Sequence, residues 1–293
     1  MAFLEYRPTN TLYHYTSPAG FSGILASKSL WFSDLSTAND PREVHLGFDK
    51  FMTALNSVIL EKYPGKGHFL KSLSDRLRKY RENARAYCCC FSLAADTLPM
   101  WGAYGSNYAG LAIDFRATSV VDMPARVQKV KYLDENTGED FKTLVIDLAM
   151  QIQAAEYGSQ VDEILAGASA FAAMTALKHE TWSYEHEVRV IHAQRILPPQ
   201  DTEHKIFSMT ALLPDNEEWG WSEPLERQSG GQTIRYLAFP FGRYRNKLFE
   251  PAEAIGRVIL GPKCTLSVDQ TTSMLQACGF RGFQIARSNC QIR

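Results

Sequence analysis

The sequence predicts an α+β fold in a single domain over residues 1–293. Short segments rich in β-branched and aromatic residues are mixed with helical patterns, without the regular strand-helix-strand repetition of a doubly wound sheet. No stretch with the composition of a linker divides the chain. Helical insertions at about 41–85 and 139–178 are expected to interrupt the strands.

Strands are predicted where short apolar or alternating runs are bounded by turn residues or charges. The segment 126–132 alternates most regularly, and 86–93 is apolar throughout, as expected for a buried strand. The polar segment 198–231 is predicted to be a long surface loop. The predicted strands are 11–16, 30–33, 86–93, 108–115, 126–132, 187–192, 233–239, 257–260 and 282–286.

Capping signals predict where most of the helices begin. Ser17 and Pro18 provide an N-cap and a first-turn proline, and Asp40, Pro41 and Glu43 form a capping box, which explains these acidic residues without a functional role. The predicted helices are 17–28, 41–62, 69–83, a pair within 139–178 broken near Gly158–Ser159, a last helix at 267–277 and a brief one carrying Met100 to Tyr104 that Asp96 caps.

Composition excludes several function classes. The chain has 31 Lys and Arg against 32 Asp and Glu, which argues against nucleic-acid binding through overall charge but leaves a local basic cleft possible. The six cysteines form no C-x-x-C pair, so we expect no zinc site and treat them as structural. No apolar run reaches bilayer length and no secretory signal is evident, so a cytoplasmic location is expected.

The densest group of polar and aromatic residues is Trp182-Ser-Tyr-Glu-His-Glu-Val-Arg189. Glu185 and Glu187 are expected to enter a strand with both side chains on one face, alongside Arg189. Paired carboxylates can stabilise the positive charge that develops when a glycosidic bond breaks. The alternative is a surface Glu–Arg pair at a strand edge.

Two aromatic segments are further candidates. Trp101 and Tyr104 lie one helical turn apart and could stack on a planar ring, although core packing is the alternative for both. His14 and Tyr15 lie on the first predicted strand, where a planar ligand could sit; a structural histidine is the alternative for His14.

Several short segments together resemble the domain-of-unknown-function family 2971. The resemblance extends from about Leu12 to the closing strand, with the motifs in the same order as in the family. The segments that carry it are Leu12–Thr16, Leu30–Ser33, Asn39–Glu43, Cys90–Ser92, Met100–Tyr104, Gly110–Phe115 and Trp182–Arg189.

The order of polar residues also resembles ADP-ribosyltransferases, α+β proteins that bind NAD in a cleft of a split β-sheet. Those enzymes place a His or Arg on the first strand, then a Ser or Tyr with an aromatic residue that stacks on nicotinamide, then a Glu, often as Glu-x-Glu, on a late strand. This chain has His14, then Ser92 with its aromatic neighbours, then Glu185 and Glu187. The resemblance implies an ADP-ribosyltransferase-like split sheet with helical insertions.

The same resemblance implies a role for each residue. Glu187 would hold the ribose 2′-hydroxyl of the oxocarbenium-like state and Glu185 would position the acceptor. Arg189 would contact the pyrophosphate or only pair with a carboxylate. The remaining candidates would bind NAD. His14 would hydrogen-bond a ribose hydroxyl, and an aromatic ring would stack on nicotinamide. These NAD-binding candidates are His14, Tyr15, Ser92, Trp101 and Tyr104.

The leading hypothesis is therefore an NAD-consuming ADP-ribosyltransferase that modifies a protein, nucleic-acid or small-molecule acceptor. An alternative is a non-catalytic module in stress or phage defence that binds a nucleotide or nucleic acid through the basic helix around Arg76 to Arg85. A third is a metal-dependent nuclease built on carboxylates distant in sequence: Asp40, Glu43, Asp114, Glu185 and Glu187.

Overall fold

Ten strands of the described residues form one large mixed sheet, with helices on both of its faces. The computed structural model describes residues 6–38, 43–61, 67–121, 123–154, 160–196, 211–212, 218–219, 221–242 and 251–292. The predicted α+β class is confirmed. The capping box at residues 40–43 and the helix break near Gly158–Ser159 lie outside the described backbone or side chains.

The helices follow the predicted order with small changes at their ends. They are α1 (Pro18–Ser27), α2 (Glu43–Glu61), α3 (Gly67–Asn83), α4 (Leu98–Ala103), α5 (Thr118–Val121), α6 (Thr137–Ala154), α7 (Gln160–Met174) and α8 (Val268–Ala277). Short 3-10 helices cover Leu35–Thr37, Glu180–Glu185 and Pro251–Glu253.

The strands are more numerous than the sequence predicts. They are β1 (Leu12–Thr16), β2 (Ser29–Asp34), β3 (Ala84–Ser92), β4 (Leu111–Phe115), β5 (Arg126–Lys129), β6 (Lys131–Tyr132), β7 (Leu177–Lys178), β8 (Glu187–Arg195), β9 (Ala211–Leu212), β10 (Glu218–Trp219), β11 (Leu225–Ser229), β12 (Gln232–Pro240), β13 (Ile255–Leu260) and β14 (Gln284–Arg287).

The main sheet has the strand order β11-β12-β2-β3-β1-β4-β13-β14, and β8 lies between β3 and β5. Most neighbouring pairs are antiparallel, whereas β13 and β14 are parallel. The separate pair of β6 and β7 is also parallel. A helix was predicted to continue to about Lys178, but α7 ends at Met174 and Lys178 closes β7, so that boundary is wrong.

The end of the predicted loop 198–231 is also a strand. Leu225–Ser229 pairs with Gln232–Pro240 through a two-residue turn in which Gly230 (φ 57°) and Gly231 (φ 78°) both have left-handed backbones. Such a turn matches the right-handed twist of a hairpin. Mostly exposed residues make up the strand, so no alternating apolar pattern marks it in the sequence.

Alternation along β3 separates two cores on opposite faces of the sheet. Cys89 and Phe91 pack in the core that includes α1 and α8. Ala86 and Cys88 face the opposite way, into the core formed with α2, α3, α6 and α7. A smaller aromatic cluster contains Trp101 with residues of β1, β4 and β13. Six cysteines are free, and the two of β3 in these cores are buried apolar side chains, as expected for structural cysteines.

Candidate functional site

The candidate site is built around β3. One edge of this strand pairs with β8 along its whole length and brings Ser92 opposite Glu187. The other edge is shared, because β2 pairs at Tyr87 and Cys88 whereas β1 pairs at Ser92. Residues 89–91 pair with neither β1 nor β2, so these two strands diverge and the sheet opens at that point.

A cavity of about 650 Å³ occupies this opening. Small-molecule sites typically have volumes of roughly 300–1,000 Å³. Aromatic, hydroxyl and charged side chains line the cavity, mainly from β1, α1, β2, β3 and the segments around β7 and β8. The lining includes most of the predicted site residues: His14, Tyr15, Ser92, Tyr104, Glu185, Glu187 and Arg189.

The two carboxylates do not share a strand face as predicted. Glu187 begins β8, but Glu185 is the last residue of a 3-10 helix, and His186 between them has a left-handed backbone with φ 43°. This kink breaks the strand alternation that would align their side chains. The carboxylates nevertheless converge, because Lys178 Nζ lies 2.6 Å from Glu185 Oε2 and 3.3 Å from Glu187 Oε2.

Arg189 completes a buried cluster of four charged side chains. Its Nε donates to Glu187 Oε1 at 2.8 Å and its Nη2 donates to Glu187 Oε2 at 3.1 Å, a two-point contact. Its Nη1 donates to the carbonyl of Thr175 at 2.7 Å. The Arg189 side chain is 1% exposed and that of Glu187 5%, so this is not the surface pair at a strand edge that was considered as the alternative.

The two carboxyl groups have opposite pKa shifts. Burial and the charge of Glu187 raise the pKa of Glu185, although Lys178 and Tyr104 oppose this shift. Burial also acts to raise the pKa of Glu187, but the guanidinium of Arg189 and the ammonium of Lys178 outweigh it and hold the pKa well below its usual range. Glu187 is therefore the fixed anion of the pair, and Glu185 is the group that exchanges a proton more readily.

Ser92 and Tyr104 both contact Glu185. The Tyr104 hydroxyl donates to Glu185 Oε1. The Ser92 hydroxyl donates to the backbone carbonyl of Glu185 at 2.6 Å and accepts from the amide of Ala94 at 2.9 Å. Ser92 thus joins the end of β3 to the 3-10 helix that carries the carboxylate. Because its hydroxyl already has these two partners, its direct effect is on the position of Glu185.

His14 lies where β1 and β3 separate. Its Nδ1 donates to the carbonyl of Cys90 at 3.0 Å, because a carbonyl oxygen only accepts. Burial lowers the pKa of His14, against the smaller opposing effect of the Cys90 carbonyl. The neutral ring therefore has Nε2 as a hydrogen-bond acceptor. The neighbouring Tyr15 donates to the carbonyl of Ala94 at 3.1 Å and contributes the face of its ring to the cavity wall.

Trp101 does not belong to the site. Its side chain is fully buried, packs edge-to-face on Tyr15 with ring centroids 4.8 Å apart, and is not among the residues that line the cavity. Its Nε1 donates to Asp96 Oδ1 at 2.6 Å. The predicted stacking role of Trp101 is therefore wrong, and Tyr104 is the ring of this pair that reaches the cavity. Asp96 is not the N-cap of α4, which is Thr97.

Sequence reasoning missed charged and aromatic residues of the cavity, including Asp34, Lys178, Trp31 and Arg227. Lys178 was treated as a helix end, because nothing in its local sequence marks this lysine as one of the few that are buried and paired. Trp31 lies between the buried residues Leu30 and Phe32, so strand alternation could have placed it on the open face of β2. Arg227 carried no such signal, because the strand that contains it has no apolar periodicity.

The alternative functions receive less support from the geometry. No basic residue of α3 lines the cavity, and Arg81 lies 4.0 Å from Asp49 with its guanidinium over the ring of Phe48. Among the described residues, no group of three or more His, Cys, Asp or Glu side chains could hold a metal ion. Of the carboxylates considered for a nuclease, Asp40 and the side chain of Glu43 lie outside the described part.

The fold and the site define an α+β protein with a ligand-sized cleft above a buried charge cluster. Residues 100–190 match the family described as "Protein of unknown function (DUF2971)", so the predicted resemblance to this family is confirmed over that segment. The matched segment contains Tyr104, Lys178, Glu185, Glu187 and Arg189. No curated protein and no solved structure matches the chain. No helix in the described part of the chain is long and apolar enough to cross a membrane.

Proposed function

We propose that this protein is an NAD-consuming ADP-ribosyltransferase. The observation that carries the proposal is a row across three adjacent strands, in which Tyr13 on β1 pairs with Ser92 on β3 and Ser92 pairs with Glu187 on β8. His14 follows Tyr13 on β1, and it lines the same cavity as Ser92 and Glu187. These are the residues in the order that the resemblance to ADP-ribosyltransferases implies, and the opening between β1 and β2 supports the split sheet that the same resemblance implies.

The charge cluster suits cleavage of the bond between nicotinamide and ribose. As this bond breaks, its electron pair leaves with nicotinamide and positive charge develops on the ribose. Glu187 stays ionised because Arg189 and Lys178 depress its pKa, so it supplies a fixed negative charge for that state. Its orientation is set by the two-point contact with Arg189, which makes Arg189 a positioning residue in this proposal.

Glu185 has the properties of the proton acceptor for the second half of the transfer. Its raised pKa makes it a better base than an ordinary carboxylate at neutral pH. The acceptor forms a new bond to the ribose carbon and loses its proton to Glu185. Tyr104 holds the carboxylate in place and presents its ring to the cavity, and His14 Nε2 accepts a hydrogen bond from a ribose hydroxyl.

The experiment follows nicotinamide release from NAD labelled in the nicotinamide ring. Glu187→Gln keeps the shape of the side chain but removes its charge, and we expect release to fall at least a hundredfold, as for loss of a preorganised charge at a reacting centre. The matched control is Glu253→Gln, which removes an exposed carboxylate paired with Arg281 at 3.0 Å, and release should be unchanged.

The outcomes separate the alternatives. NAD that binds but releases no nicotinamide, with protein, nucleic-acid and small-molecule acceptors present, would favour the non-catalytic nucleotide-binding module. Absence of both binding and release would remove NAD as the ligand. Equal release by wild type and Glu187→Gln would exclude the role assigned to the carboxylate.

A further inference from the structure

A second wall of the cavity exposes an aromatic ring that the proposed chemistry does not use. Trp31 on β2 is 47% exposed and lines the cavity together with Ser33 of the same strand. The ring of Tyr236 on β12 supports it, with centroids 4.4 Å apart and an interplanar angle of 31°. A large ring held in place but still exposed inside a cavity can stack on a planar ligand group.

Arg227 on β11 places a positive charge over this ring. Its guanidinium carbon lies 5.7 Å from the centroid of Trp31, and its Nη2 donates to Ser33 Oγ at 3.3 Å. Its Nε is buried and has no hydrogen-bond partner among the described residues. A buried donor without a partner is costly unless a ligand or water satisfies it.

The charges of the cavity single out Arg227 as the anion-binding group. The other cationic side chains that line the cavity, Lys178 and Arg189, are already held by Glu185 and Glu187. Arg227 forms no ion pair within the described part of the chain. The nearby Asp34 is 6% exposed and accepts from the amide and hydroxyl of Ser36. A guanidinium with donors to spare favours a phosphate oxygen.

We infer that Trp31 and Arg227 form a subsite for a nucleoside phosphate, with the base stacked on Trp31 and a phosphate on Arg227. This inference rests on the proposed function, because it assigns the ADP portion of NAD to this wall and the nicotinamide ribose to the wall of Glu185 and Glu187. Both walls line one continuous cavity. The subsite binds a part of NAD that does not react, so it contributes to the affinity of the protein for NAD.

Titration calorimetry with ADP tests the subsite without any turnover. We expect ADP to bind wild type, and Trp31→Ala to weaken binding about tenfold, within the range for loss of one base-aromatic stack. Trp31→Phe retains a ring and should restore most of the affinity. Arg227→Gln should weaken binding about tenfold or more and reduce its dependence on salt.

The matched control for Arg227 is Arg235→Gln. Arg235 lies on the same hairpin and pairs with Glu226 at 3.2 Å, but it does not line the cavity. Its loss should leave ADP affinity unchanged. Adenosine and inorganic pyrophosphate, titrated separately, distinguish the two halves of the subsite. Trp31→Ala should selectively weaken the binding of adenosine, and Arg227→Gln should selectively weaken the binding of pyrophosphate.

The subsite and the proposed chemistry can fail independently. Binding of ADP that depends on Trp31 and Arg227, without nicotinamide release from NAD, would support the subsite and contradict the transferase. Nicotinamide release with an unchanged KM in both Trp31→Ala and Arg227→Gln would overturn the subsite and leave the transferase in place. Failure of wild type to bind ADP at millimolar concentration would also overturn it.

Discussion

Lys178 Nζ lies 2.6 Å from Glu185 Oε2, and the two side chains are only 5% and 3% exposed. The same ammonium reaches Glu187, so Lys178 and Arg189 together balance the two buried carboxylates. Its position at the end of β7 comes from the parallel pairing of β7 with β6. This short strand therefore determines the charge state of the candidate site.

Replacing Lys178 by Met should destabilise the fold strongly. Glu185 would lose its buried cationic partner beside Glu187, which Arg189 still pairs, and breaking a buried ion pair from one side costs about 3–5 kcal/mol. Urea unfolding at neutral pH measures the change. Lys142→Met is the matched control, because Lys142 pairs with Glu139 at the surface and its loss should cost no more than about 1 kcal/mol. Equal losses in the two variants would contradict the role of Lys178.

Tyr104→Phe should move the pH dependence of nicotinamide release. The Tyr104 hydroxyl lowers the pKa of Glu185, in opposition to burial, so removing it should raise the pKa of Glu185 further. The limb of the pH-rate profile that reports ionisation of the base should then shift to higher pH. The ring remains, so stability should fall by only about 1 kcal/mol. An unshifted limb would show that Glu185 is not the base.

The buried His192 should make the folded protein less stable at acidic pH. It is fully buried, and burial lowers its pKa from 6.5 to about 4, partly opposed by its bond to the carbonyl of Pro124. The unfolded chain binds a proton that the folded chain excludes, so stability is lost as pH falls from 6.5 towards 4. The loss from this group is at most about 3 kcal/mol.

His192→Gln should remove that contribution. We expect the difference in unfolding free energy between pH 7 and pH 4 to be smaller in the variant than in wild type, measured by urea unfolding at each pH. His45→Gln, which changes an exposed histidine of α2, is the control. If both variants keep the wild-type slope, proton exclusion by His192 does not contribute to acid sensitivity.

The turn of the β11–β12 hairpin distinguishes two substitutions at Gly230. Its left-handed backbone, with φ 57°, suits Asn as well as Gly in a two-residue hairpin turn. Gly230→Asn should leave thermal stability nearly unchanged, whereas Gly230→Val should cost about 1–2 kcal/mol because a β-branched residue is strained there. An added Cβ meets no atom within 4 Å, so backbone conformation alone decides the result.

Local pattern was sufficient for most of the secondary structure. β-Branched and aromatic composition identified β1 and alternation identified β5, and the Ser17–Pro18 pair marked the start of α1, where Ser17 accepts from the amide of Gly20 at 3.0 Å. Local pattern did not predict β11, whose exposed residues show no apolar periodicity. It also assigned Lys178 to a helix, because the two-residue strand β7 follows α7 without a change in composition. The partner of β7 is β6, which lies far back in the chain, whereas β11 pairs with β12 across a two-residue turn and lacks only an apolar pattern.

The candidate site was predictable only in part. The order of His14, Ser92, Glu185 and Glu187 indicated a shared cleft, and all of them line one cavity. The prediction failed for Trp101, because the same aromatic spacing fits a core position and a ligand contact, and only the packing of α4 decides between them. Trp31 and Arg227 come from strands far apart in sequence, so no local pattern could pair them.

The sequence by itself determined the α+β class, most of the strand and helix positions and the identity of the acidic pair, because these follow from side-chain composition, periodicity and capping within a few residues. The tertiary structure decided which groups are charged, buried and accessible. Lys178 and Arg227 show why: Lys178 is buried where β7 pairs with β6, and Arg227 contacts Ser33 of β2, so their surroundings arise only when the sheet forms.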